Sequence, residues 1–183
     1  MNKKPMWKLA LLAIPALIVV FLIIVALQPS AYRVTRSLAF AAQPDAVFPY
    51  MNDLKKWETW NPWGKADPYM KLNYSGPESG VGASYLWAGN NEVGEGRATI
   101  TDSRPNEWVK YQMEFFRPMS GVSEMEFTFK PQGNLTDVAV TVTGEKNFMA
   151  KAFCLFMSMD RMIGGKFETA LTALKGRVES PAK

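Results

Sequence analysis

The chain opens with an unbroken apolar run, and this run is the first element that the pattern predicts. Leu9 to Leu27 reads LALLAIPALIVVFLIIVAL. As an α-helix it would span roughly 28 Å, close to the thickness of a bilayer's hydrocarbon core, and membrane helices tolerate a proline such as Pro15. A cleaved signal peptide would have a shorter apolar region that ends at a small-x-small site, which the exit VALQPSAY lacks. The pattern therefore favours a retained transmembrane anchor in residues 1–30 and a single attached domain in residues 31–183.

After the anchor, apolar and polar positions first alternate and then change period. Residues 32–40 alternate, which is typical of a half-buried strand that starts close to the membrane. Pro44 and Asp45 suit the first turn of a helix, where a missing N–H costs nothing and an acid meets the positive end of the dipole. The following LKKWETWNPW segment predicts a short second helix that runs into an aromatic loop, because Pro62 prevents a regular helix beyond it.

Six short alternating segments follow, separated by residues that favour turns. Asn90-Asn91 and Gly133-Asn134 lie between paired segments, where hairpin turns need residues that tolerate positive φ. The order predicts an antiparallel meander, with large apolar side chains on one face of each strand. These inward positions include Tyr111, Met113 and Phe115, then Met125, Phe127 and Phe129, then Val138, Val140 and Val142.

The last part of the chain has the period of a long amphipathic helix. Apolar residues recur from Phe148 to Leu174 at spacings of three and four, and Gly164-Gly165 interrupts them. A kink, a break into two helices or close contact with the sheet would each explain the two glycines. The whole order predicts an α+β domain in which a curved antiparallel sheet wraps around the last helix.

The charges around the apolar run predict its orientation. Lys3, Lys4 and Lys8 precede the run, whereas Arg33 and Arg36 follow it. Because positive charge marks the cytoplasmic side, we expect a single-pass protein with its N-terminus in the cytoplasm and its domain on the outer, periplasmic or extracellular, side.

Charge and composition exclude several functions for the attached domain. The chain has a formal net charge of +4, but residues 31–183 carry 18 basic and 17 acidic groups. Nucleic acid is therefore not expected as a partner, because phosphate binding needs a concentrated basic surface.

The chain has no histidine and one cysteine, Cys154, in an apolar stretch. We expect Cys154 to be a buried apolar residue, and we predict no metal site and no cofactor.

Several segments together resemble a known family. They are DLKKWETWNPW, DPYMKLNYSGPESGVGASYLWAGNNEVGEGRATI, FRPM and GGKFETALTALK. In this order they resemble the polyketide cyclase/dehydrase-like branch of the START-related, helix-grip (SRPBCC) superfamily, over about residues 32–176. The resemblance implies a seven-stranded antiparallel sheet gripping a C-terminal helix over a hydrophobic pocket. Members of the superfamily bind lipids, sterols, polyketides and other apolar molecules, and some are enzymes.

The leading hypothesis is a membrane-anchored protein that binds a small hydrophobic ligand, lipid-like or polyketide-like, between the sheet and the last helix. The bilayer is its other expected partner, through Leu9 to Leu27, and the sequence names no protein partner. The candidate ligand-binding residues are large aromatic or methionine side chains of the predicted inner faces, the aromatic loop and the last helix. They are Trp57, Trp60, Trp63, Tyr85, Trp87, Tyr111, Met113, Phe115, Met125, Phe127, Phe129, Phe156 and Met159.

Two other functions are open at this point. A cyclase, dehydratase or hydrolase acting on an apolar substrate could use Glu95 as an acid with Tyr85 or Tyr111, provided that these groups converge on one cavity. Glu95 and Arg97 would otherwise form a surface pair. The third reading is a protein-interaction module that docks through exposed indoles of Trp60 and Trp63. Large aromatic residues are also ordinary core residues, so their burial separates these alternatives.

Overall fold

A computed structural model describes residues 6–180, with side chains described from residue 13 onward. A first helix, α1, covers Met6–Leu27. Within residues 13–180, no helix is long and apolar enough to cross a membrane. The predicted span begins at Leu9, so its first residues lie outside the described side chains, as do the lysines on which the predicted orientation rests.

A seven-stranded antiparallel sheet forms the body of the domain, with strand order β1-β7-β6-β5-β4-β3-β2. This order confirms the predicted meander from β2 to β7, and β7 also pairs with β1, the first strand of the chain. The strands are β1 (Ala31–Phe40), β2 (Lys71–Ser75), β3 (Ser84–Ala88), β4 (Glu95–Arg104), β5 (Trp108–Arg117), β6 (Gly121–Gln132) and β7 (Leu135–Glu145).

Three short helical segments connect β1 to β2, and two helices follow β7. The segments are α2 (Pro44–Asn52), a 3₁₀ helix (Leu54–Thr59) and α3 (Trp63–Ala66); the final helices are α4 (Phe148–Cys154) and α5 (Met159–Glu179). The prediction of one long helix from Phe148 was wrong. Ser158 begins α5 anew, because its hydroxyl accepts a hydrogen bond from the Arg161 amide at 3.2 Å and so caps the helix.

The two glycines lie inside α5 and do not break it. The guanidinium of Arg36, on the inner face of β1, occupies the space that a Cβ of Gly164 would need, whereas Gly165 faces open space. Arg36 donates to Asp160 at 2.7 Å and to Glu168 at 2.6 Å, which joins β1 to two positions of α5. The hydrogen bond from Arg36 lowers the pKa of Asp160. Of the explanations open from the sequence, close contact with the sheet is the correct one.

The core lies between the concave face of the sheet and α5. The predicted inward residues of β6 and β7 are buried, as are Phe167, Leu171 and Leu174 of α5. The structure therefore confirms the α+β, helix-grip architecture and the period of most of its elements.

Candidate functional site

An aromatic cluster lies on the inner face of the sheet. Trp57 is at its centre, with its ring centroid 5.0 Å from that of Tyr111 and 5.8 Å from that of Tyr85. Trp60 contacts Trp57 and, edge to face, Phe127. All five side chains are buried, so aromatic rings form a contiguous part of the core.

The 3₁₀ helix places both tryptophans in this cluster. The Asp53 side chain caps it by accepting from the Lys55 amide at 3.0 Å. With about three residues per turn, Leu54, Trp57 and Trp60 fall on one side, and all three are buried. The spacing of three between the two tryptophans is thus the period of the 3₁₀ helix, which contains Trp57 and ends just before Trp60.

Two polar atoms in the cluster lack hydrogen-bond partners. Among the described residues, the indole nitrogens of Trp57 and Trp60 are buried without an acceptor. A buried donor without a partner costs about 1–3 kcal/mol, so such atoms call for an explanation. The Trp57 indole lies near enough to the Tyr111 hydroxyl to stabilise its phenolate slightly, but the two atoms do not have the geometry of a hydrogen bond.

The tyrosines of the cluster are held neutral. Burial raises the pKa of Tyr85 and of Tyr111 well above the ordinary value. The Tyr111 hydroxyl donates to the backbone oxygen of Met51 at 2.7 Å, which ties β5 to α2. Both groups can therefore act as hydrogen-bonding or packing residues near neutral pH and do not serve as bases.

A cavity of about 270 Å³ adjoins the cluster at the edge of the sheet. It lies between the start of the 3₁₀ helix and the hairpin that joins β2 to β3. Tyr74 on its wall contacts Tyr85 with a centroid separation of 5.9 Å and a 40° tilt between the rings, and through Tyr85 the cavity adjoins Trp57. Its lining mixes polar and apolar groups: Leu54, Lys55, Tyr74, Ser75, Gly76, Pro77, Glu78, Ala83 and Ser84.

Tyr74 is fixed in the cavity wall by a carboxylate of the 3₁₀ helix. Its hydroxyl donates to Glu58 at 2.5 Å. Burial, and then this bond, raise the pKa of Tyr74. The sequence analysis did not single out Tyr74, although it predicted the strand that contains it. Tyr74 follows Leu72 at the spacing of an inward position, and this alternation was the available signal.

The last helix lies close to one side of the sheet only. Its backbone packs closely along β1, held by the Arg36 bonds, and makes few close approaches to the other strands. Large side chains of the middle strands therefore fill much of the space below α5. The Trp87 ring occupies the space that a Cβ of Gly96 in β4 would need.

The structure brings many of the predicted ligand-binding residues together, but not all. Trp57, Trp60, Tyr85, Trp87, Tyr111, Met125, Phe127 and Phe129 are buried in one core cluster, with Trp63 and Met113 packed partly buried against it. Phe115 touches Trp87 at the end of the sheet and is partly exposed. Met159 is partly buried at the start of α5. Phe156 lies in the turn before α5 and is 80% exposed.

Phe156 departs from its predicted position because the helix on which it was placed ends at Cys154. Trp60 is only 5% exposed, so it cannot serve as an exposed docking group, and Trp63 packs on Phe167. None of the predicted ligand-binding residues lines the edge cavity, so their role in binding stays a prediction.

The candidate acid lies on the other face of the sheet. Glu95 accepts from Arg117 at 2.8 Å on the outer surface, and Arg97 lies 3.7 Å from Glu114. Tyr85 and Tyr111 point to the inner face, so the sheet itself separates them from Glu95. Glu95 and Arg97 thus lie on the surface, as the alternative reading expected, but they do not pair with each other, because each pairs with a residue of β5. Among the described residues, no group of three or more cysteine, aspartate or glutamate side chains could hold a metal ion.

A curved antiparallel sheet closed by a C-terminal helix over an aromatic interior defines a helix-grip domain. A family model described as polyketide cyclase / dehydrase and lipid transport matches residues 31–179. The chain belongs to this family, as the resemblance of its segments predicted. A comparison with curated proteins finds no match.

Solved structures share the fold at low sequence identity. The protein Mll3558 from Rhizobium loti is 18% identical, with a TM-score of 0.58 over 81% of this chain and 98% of its own. The protein CV1439 from Chromobacterium violaceum is 16% identical, with a TM-score of 0.56 over 84% of this chain and 99% of its own. DynU16, described as a putative protein in the dynemicin biosynthetic locus, is 12% identical, with a TM-score of 0.55 over 81% of this chain and 47% of its own. At such identities the likeness concerns the fold alone.

Proposed function

We propose that this protein binds a small hydrophobic molecule with a polar end, lipid-like or polyketide-like, beside the aromatic cluster. The observation that carries the proposal is the pair of buried indole N–H groups of Trp57 and Trp60, which have no acceptor among the described residues. A ligand oxygen in the cluster would satisfy them, while the rings around it bury the apolar part of the ligand.

The edge cavity supports the same proposal. Its volume of about 270 Å³ is slightly below the roughly 300–1,000 Å³ of drug-sized ligand sites. A larger ligand would therefore extend from the cavity past Tyr74 and Tyr85 towards Trp57. Lys55, Ser75 and Glu78 offer polar contacts at the outer end.

The binding test uses cis-parinaric acid, a fluorescent fatty acid, with the full chain in detergent. Ala83 is buried on the cavity wall, so Ala83→Phe places a ring where the ligand would enter. We expect at least a tenfold loss of probe affinity. The matched control is Ala39→Phe, at an exposed position of β1, which should bind like the unmodified protein. Equal affinity of both variants, with unchanged circular dichroism, would exclude the cavity as the binding site.

The proposal includes anchoring of α1 in a bilayer. Residues from Leu17 to Ile24 are all exposed, so apolar side chains surround this part of the helix. A helix that is hydrophobic on every side needs an apolar environment, which either a protein core or a membrane supplies. Because the domain does not enclose the stretch from Leu17 to Ile24, we assign that environment to lipid.

The proposed orientation places the domain on the outer side and the N-terminus in the cytoplasm. It is tested with a Val81→Cys variant in a Cys154→Ala background, because Val81 lies in an exposed loop far along the chain from α1. A membrane-impermeant maleimide should label this cysteine in intact cells. Labelling only after permeabilisation would place the domain on the cytoplasmic side.

A further inference from the structure

The strand register brings several loops to the end of the sheet that lies next to α1. Ala31, the first residue of β1, pairs with Glu145 at the end of β7, and Ser123 pairs with Gly144. Phe115 pairs with Gly121, so the loop that joins β5 to β6 lies at the same end. The chain from β7 into α4 starts there too.

This end of the domain carries a group of exposed large apolar side chains, which we call the apolar rim. Its members come from the end of β5, the β5–β6 loop, α4 and the turn after α4: Phe116, Met119, Met149, Phe153 and Phe156. Met149 is 67% exposed and Phe156 80% exposed. Such a concentration of exposed apolar groups marks an interaction surface more often than single exposed residues do.

Hydrogen bonds hold the parts of the rim together and next to α1. Asn147 donates from its side-chain nitrogen to the Ser120 oxygen at 3.3 Å, which joins α4 to the β5–β6 loop. The Lys146 amide donates to the Ser30 oxygen at 2.8 Å. The Lys151 ammonium lies 3.5 Å from the Ala26 oxygen at the end of α1.

The connection between α1 and the sheet is short, so the rim stays close to the end of α1. From Leu27 to Ala31 the chain reaches at most ~14 Å when fully extended. Val25, near the end of α1, is fully buried, so the last turn of the helix packs against the domain. If α1 lies in a bilayer, the rim lies at the level of that bilayer's surface.

We propose that the apolar rim rests in the interfacial region of the same bilayer, with Met149, Phe153 and Phe156 among the acyl chains. The inference rests on the proposed anchor, and its occupant is lipid because the rim continues the apolar surface of α1. Short amphipathic segments bind membranes in this way, with their apolar face buried about 5–10 Å into the boundary of headgroups and chains.

The test uses the full chain in phosphatidylcholine vesicles, with a nitrobenzoxadiazole fluorophore on one introduced cysteine in a Cys154→Ala background. The labelled variants are Phe156→Cys in the rim, Ile18→Cys in α1 and, as a matched control, Leu135→Cys. Leu135 is an exposed apolar residue at the opposite end of the sheet. Doxyl-labelled lipids should quench the labels at 156 and 18 to a comparable extent, and the label at 135 several-fold less.

Other outcomes separate the inference from the proposed function. Quenching at position 18 but not at 156 would overturn the rim contact while the anchor remained. Absence of quenching at 18 would overturn the anchor and the rim contact together. A label at 156 that is shielded from iodide but not quenched by doxyl lipids would show that a second protein surface covers the rim, which also overturns the proposal.

Discussion

Trp57, Trp60 and Trp63 are equally spaced in the sequence but have different surroundings in the structure. Trp57 and Trp60 are buried and keep unpaired indole nitrogens, whereas Trp63 is half-buried against Phe167. Their spacing in the sequence did not distinguish core from ligand contact. Only the position of each nitrogen relative to possible acceptors separates the two roles, and that depends on every strand around the cluster.

Trp60→Phe tests the role of the unpaired nitrogen, because it removes the N–H and keeps an aromatic ring. If a ligand oxygen accepts from this group, affinity for cis-parinaric acid should fall about 2- to 10-fold. This loss corresponds to one hydrogen bond of about 0.5–1.5 kcal/mol. Trp63→Phe is the control, and should change affinity less. Fluorescence titration measures both, and equal effects would argue that Trp60 contributes only to packing.

The elements of the fold are joined by contacts between residues distant in sequence. The clamp between Arg36 of β1 and Asp160 and Glu168 of α5 depends on Gly164, whose missing side chain leaves room for the guanidinium. The neighbouring Gly165 has no such constraint. A side chain at Gly164 would therefore displace Arg36, whereas a side chain at Gly165 would meet no neighbour. The sequence alone does not distinguish these two adjacent glycines.

Substituting the two glycines separately should give different stabilities. Gly165→Ala should raise the free energy of unfolding by about 0.5–1 kcal/mol, because alanine favours a helix interior more than glycine. Gly164→Ala gains the same propensity but displaces Arg36 from its carboxylates, so we expect it to be clearly less stable than Gly165→Ala. Urea unfolding of the full chain in detergent measures the difference. Equal stabilisation by both substitutions would mean that the clamp does not hold α5 in place.

At the scale of the whole molecule, the buried tyrosines should make the free energy of unfolding fall at alkaline pH. Tyr74, Tyr85 and Tyr111 all have raised pKa values, with burial as the largest cause. An unfolded tyrosine ionises near pH 10, while the folded protein retains these protons. The stabilising difference is complete below about pH 10 and is lost as the pH rises above it, because the unfolded state then binds fewer protons.

The chain contains 6 tyrosines, so an alkaline titration can separate these three from the others. Absorbance at 295 nm should show a late group of tyrosines that ionises only when circular dichroism reports unfolding. Tyr74→Phe should remove one tyrosine from the late group. Ionisation of all tyrosines in a single step before unfolding would contradict the buried arrangement.

Local periodicity in the sequence determined the strands, their inward faces and their antiparallel order, because each property depends on residues only a few positions apart. The anchor and its orientation are also local inferences, and they stay predictions. Tertiary structure alone decided the close approach of Arg36 to Gly164, the burial of the Trp57 and Trp60 indole nitrogens without an acceptor and the cavity beside Tyr74. Each of these depends on contacts between distant segments, which no pattern along the chain records.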